Sequence, residues 1–79
     1  MSKDDALRWF ADLFGLPVES ISPATSRSEI PAWDSLGVLM LMGGLDESFG
    51  IVVNDEEMRT MQKIDDVLEL LRANGKMRP

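Results

Sequence analysis

The sequence contains no cysteine, no histidine and no tyrosine. Without cysteine no disulfide can brace the fold, and the chain has no thiol of its own. Without histidine or cysteine it cannot build a Ser–His or Cys–His catalytic pair. The commonest zinc ligands are missing as well, so no metal site is expected. Aromatic residues make up only 6% of the chain, and 8 basic residues stand against 14 acidic ones, a net charge of −6. That balance lacks the basic, aromatic-interleaved face of a nucleic-acid binder and steers the chain toward basic partners. No segment approaches the ~18 consecutive apolar residues of a membrane span. The start, Met1-Ser2-Lys3-Asp4-Asp5, has neither the basic nor the apolar region of a secretory signal. A cytoplasmic, monomeric protein is the expectation.

Acidic groups are present in runs: Asp46–Glu47, Asp55–Glu56–Glu57 and Asp65–Asp66. Neighbouring positions on a helix do not face each other, so these read as solvated surface rather than as an acid–base pair. An enzyme acting alone is not expected, and no catalytic residue is assigned.

With 79 residues, one domain is expected, its core spanning about residues 3–74 and its tail, 75–79, frayed. Leu7, Phe10, Ala11 and Phe14 recur at helical spacing and predict a first helix from about Lys3 to Phe14, widened by Trp9 and Leu13 and stopped by Gly15. From Leu16 to Trp33 the chain carries Pro17, Pro23 and Pro31 among many serines, which resists a continuous helix. Val18, Ile21 and Ile30 are placed to pin this long connector to the core.

A second helix is expected to begin at Asp34 or Ser35, with Asp34 a good cap, and to end near Phe49 before Gly50. Its inward stripe is Val38, Leu41, Met42, Leu45 and Phe49, interrupted by Gly43 and Gly44. Ile51 to Val53 read as an extended link. Asn54 followed by Glu57 predicts a capping box opening a short helix, about Asp55 to Met61. Ile64, Val67, Leu68 and Leu71 predict a last helix over about Lys63 to Asn74, stopped by Gly75. The pattern is all-α: a bundle of three main helices, one short helix and a long first loop.

Within it, Ile30-Pro31-Ala32-Trp33-Asp34-Ser35-Leu36-Gly37 opens an apolar helix after a long loop. Asp46-Glu47-Ser48-Phe49-Gly50-Ile51 and Asn54-Asp55-Glu56-Glu57 come after it in order. This succession, from the Phe14-Gly15-Leu16 helix end to Leu71, resembles the acyl carrier protein family. The resemblance implies an acyl-carrier-like four-helix bundle with a short third helix. It implies that Ser35 is the attachment point of 4'-phosphopantetheine, delivered from coenzyme A by a separate phosphopantetheinyl transferase that uses magnesium, with Asp34 contacting that metal. It also implies a thioester on the arm, exchanged with an acyl- or aminoacyl-loading enzyme and with downstream enzymes. The partner surface would comprise Asp34, Leu36, Met40, Gly43, Asp46 and Glu47. Trp33 reads as a packing residue, and the methionines as core and surface filler.

The sequence differs from familiar fatty-acid carriers. Where those carry acidic residues on the outward side of the second helix, this chain has Gly37 and Met40, and Gly43 stands where methionine is common. The Trp-Asp-Ser-Leu-Gly run is more similar to discrete carriers of specialised pathways. The alternatives are that Ser35 merely caps a helix, and that the chain is an unmodified helical interaction module with a carrier-like fold.

Overall fold

Ser2 opens the first helix by a reciprocal cap the spacing argument did not name. In the computed structural model, which describes residues 1–77, the Ser2 hydroxyl accepts from the Asp5 N–H at 3.2 Å and the Asp5 carboxylate accepts from the Ser2 N–H. Two N–H groups that no helical carbonyl could reach are thereby satisfied. The helix, α1, runs Lys3–Phe14 and buries Ala6, Leu7, Phe10, Ala11 and Phe14. It stops at Gly15, whose φ of 66° is the left-handed conformation glycine enters without steric cost.

Three more helices complete the bundle: α2, Ser35–Phe49; α3, Asp55–Arg59; and α4, Ile64–Ala73. The described residues thus form an all-α bundle with three main helices, one short one, and no strand. The Asn54–Glu57 capping box is present, with the Glu57 N–H on Asn54 Oδ1 at 2.8 Å. α3 ends two residues before the expected Met61, and Met61 is instead held by a turn onto the Met58 carbonyl. Between α2 and α3 the chain is extended, so its side chains alternate: Ile51 and Val53 point into the core and Val52 points out.

The largest fully buried side chains, Phe10, Leu41, Leu45, Met58, Ile64, Val67, Leu68 and Leu71, come from all four helices. Each such burial contributes about 1.5–3 kcal/mol relative to exposure, so all four helices contribute to one shared core. Phe10, Phe14 and Trp33 form an aromatic cluster, with centroids 4.7 Å apart for Phe10–Phe14 and 5.3 Å for the edge-on Phe10–Trp33 pair.

The long connector is more ordered than its prolines imply. It contains two single-turn 3-10 segments, Val18–Ser20 and Arg27–Glu29. Ile30 is buried, while Val18 and Ile21 pack half-buried against the core. The connector is also tied to the start of α4. The Arg27 N–H donates to the Gln62 carbonyl at 2.7 Å, the Ile64 N–H to Thr25 at 3.0 Å, and the Asp65 N–H to Pro23 at 2.8 Å. In the tail expected to fray, the Lys76 N–H donates to the Leu71 carbonyl, the Met1 ammonium donates to the Lys76 carbonyl at 3.0 Å, and Met77 packs partly buried on the core. Arg78 and Pro79 lie outside the described residues.

Candidate functional site

The site forms where the connector meets α2. Asp34 has extended backbone, and its Oδ1 accepts from the Gly37 N–H at 3.0 Å. It is the cap, so Ser35 is not: Ser35 is the first residue inside the helix. The Ser35 side chain is exposed, and its hydroxyl makes no hydrogen bond among the described residues. The outcome is a free hydroxyl at the positive end of a 15-residue helix, a place where phosphate oxygens are favoured by the helix dipole and open N–H groups.

What holds this helix start in place is a close backbone contact. Gly37 is buried, and a Cβ built on it would fall 2.0 Å from the Ala32 carbonyl oxygen and 2.9 Å from Phe14 Cε1. Gly37 therefore faces inward. This corrects its placement on the outward side of α2: a side-chain-free position lets the turn before Ser35 lie directly on the helix. Trp33, 2% exposed, anchors the same turn among Phe10 and Phe14. Its carbonyl accepts from Arg27 Nε at 3.1 Å, and the Arg27 guanidinium lies 6.0 Å from the Trp33 ring centroid, within cation–π range.

α2 is apolar on more than one face. Leu41 and Leu45 are fully buried, and Val38, Met42 and Phe49 pack partly buried against the core. On the outward side Leu36 is 66%, Leu39 62% and Met40 40% exposed. Gly43, Asp46 and Glu47 continue this side, all exposed. Asp34, Leu36, Met40, Gly43, Asp46 and Glu47 thus share the cap and exposed part of one helix with Ser35. Leu39 was missed from sequence although the signal was present, since it stands one turn after Ser35 and Leu36.

A cavity of about 330 Å³ adjoins Ser35 between α2 and α3. Val38, Leu39 and the buried Met58 give it apolar walls; Arg27, Arg59 and Asp55 supply charge. Nearby, the Glu29 carboxylate accepts from the Ser26 N–H at 2.7 Å, and this bond, helped by the Ser26 hydroxyl, holds its pKa below the usual glutamate value. Among the described residues no group of three or more Asp or Glu side chains is arranged to hold a metal ion. No helix there is long and apolar enough to cross a membrane.

The described residues thus place an exposed serine at a helix start beside a partly apolar cavity, in a four-helix bundle with a long first loop. Sequence comparison gives the family. The chain is 33% identical over 61 residues to an acyl carrier protein of Thermosynechococcus vestitus, covering 77% of this chain and 75% of that one. It is 23% identical over 75 residues to one from Acidothermus cellulolyticus, covering 90% and 89%. It is 28% identical over 61 residues to one from Nitratidesulfovibrio vulgaris, covering 77% and 80%. No family model matches the sequence. The chain belongs to the acyl carrier protein family.

Proposed function

We propose that this chain is a cytoplasmic, monomeric carrier that holds an acyl or aminoacyl group on a 4'-phosphopantetheine arm attached to Ser35 and presents it to partner enzymes. The observation that carries the reading is the Ser35 hydroxyl, exposed and unbonded at the first position of α2 while Asp34 does the capping. The surroundings fit the group. A phosphodiester on Ser35 would sit at the helix N-terminus, and the adjoining cavity has room and apolar wall for the pantetheine beyond it. When bound, the arm supplies the thiol that this cysteine-free chain lacks.

No side chain among the described residues bonds the Ser35 hydroxyl, so the base that takes its proton belongs to the transferase. One Asp34 oxygen is engaged by Gly37, which orients the carboxylate and leaves the other for the transferase's magnesium. Leu36, Met40 and Gly43 form the apolar part of the docking surface, with Asp46 and Glu47 as its charged rim.

The test is intact mass after incubation with coenzyme A and a broad-specificity phosphopantetheinyl transferase. Wild type gains one phosphopantetheine and one titratable thiol; Ser35→Ala gains neither and keeps its helical circular dichroism. Wild type that gains no mass is an unmodified interaction module.

A further inference from the structure

The cavity beside Ser35 has a charge pattern that an acidic chain makes conspicuous. Among 8 basic residues in a chain of net charge −6, Arg27 and Arg59 both line this cavity. Neither forms an ion pair among the described residues. Arg27 uses its Nε–H on the Trp33 carbonyl, so its terminal N–H groups are uncommitted, and the Arg59 guanidinium has no acceptor among the described residues. Asp55, on the same wall, is paired with neither. Arg27 is also held in place: its backbone N–H is fixed on Gln62 and its guanidinium lies over Trp33. A planar cation pre-positioned this way loses little side-chain freedom when it meets an oxyanion.

We infer that Arg27 and Arg59 make the cavity beside Ser35 an oxyanion-binding site that draws the arm, or what it carries, back onto the body of the protein. The inference rests on Ser35 carrying the arm. Two sources supply the same chemistry. One is the phosphodiester at the root of the arm, which is bonded to a residue of the cavity wall and so needs no search in solution. The other is a carboxylate at the far end of a cargo folded back over Val38, Leu39 and Met58. Guanidinium groups bind either by charge-assisted hydrogen bonds, strongest where water is partly excluded.

The experiment tracks the Nε–Hε resonances of Arg27 and Arg59 by ¹⁵N NMR in the apo, holo, pentanoyl-loaded and glutaryl-loaded protein, with modification verified by mass. Arginine shifts on going from apo to holo, accompanied by a ³¹P shift that Arg59→Gln removes, assign the site to the phosphodiester. Shifts that appear only with glutaryl and not with pentanoyl assign it to a cargo carboxylate. Arg59→Gln is the primary variant because Arg59 supports nothing else through its guanidinium, and Arg27→Lys keeps charge while removing the forked donor. Fully modified protein whose arginine resonances stay in place in every loaded form overturns the inference and leaves the carrier reading standing. A chain that gains no mass at all overturns both.

Discussion

Three glycines of α2 look alike in sequence and are opposite in structure. At Gly43 an added Cβ meets nothing within 4 Å. Gly43→Ala therefore recovers the helix-propensity cost of about 1 kcal/mol, which corresponds to a rise of about 4–8 °C in Tm for a domain of this size. At Gly44 the Cβ would stand 3.2 Å from Leu13 Cδ1 and from Trp9 Cζ2, so those side chains must give way and Gly44→Ala gains less than Gly43→Ala. At Gly37 the obstacle is the Ala32 backbone, which cannot move without dragging the turn before Ser35. Gly37→Ala is expected to cost about 1–3 kcal/mol, a fall in Tm of about 10 °C. Thermal melts of the three variants check the order; a lower Tm for Gly43→Ala would show that the position does not have the open space described for it. The inward role of Gly37 was not legible in the sequence, because a residue without a side chain adds nothing to a hydrophobic period.

At the scale of elements, the four helices were legible because apolar residues recur at 3.6-residue spacing and glycine marks the ends. The order of the connector was not. Its bonds to α4 join backbone groups, Arg27 N–H to Gln62 and Ile64 N–H to Thr25, and backbone pairing over such a separation leaves no trace in residue type. Likewise Arg27 and Arg59 are far apart in sequence, and only the packing of the connector and α3 around α2 places both on one cavity. The start of α2 at Ser35 was legible because Asp34 is a favourable cap and the apolar period opens just after it.

The turn Arg27–Glu29 has its own measurable property. Because the Ser26 N–H holds the Glu29 pKa down in the folded state, the stabilisation is fully present above the ordinary glutamate pKa. It is lost as pH falls through the lower folded value. NMR titration should give Glu29 a lower midpoint than that of Glu29 in the denatured chain, and Glu29→Gln should make stability less dependent on pH across that acidic window. A Glu29 midpoint at the ordinary value would show that the capping bond does not persist in solution.

For the molecule as a whole, charge and apolar surface are divided between two tasks. On the proposed carrier reading, the net charge of −6 attracts basic partners at long range, and the exposed Leu36, Leu39 and Met40 near Ser35 supply short-range affinity by burial. Met40→Glu should therefore lower kcat/KM with the cognate loading enzyme about tenfold, since about 1.4 kcal/mol of lost contact is tenfold, mainly through KM. The loss should remain at high salt, where long-range attraction is screened, and phosphopantetheine attachment should persist. An unchanged kcat/KM for Met40→Glu across a salt series would remove Met40 from the interface.

The bonds that join Thr25 and Arg27 to Ile64 and Gln62 also set an order in time. Synthesis releases the connector first and its two partners only after α2 and α3 have emerged. Closing a loop of that span is entropically costly until contacts within it reward the closure. On the ribosome, the turn before Ser35 thus lacks its clasp until the segment leading into α4 is free. Ser35 lies in sequence between the two halves of this clasp, so the connector that precedes it is fastened only after the residues that follow it have been made.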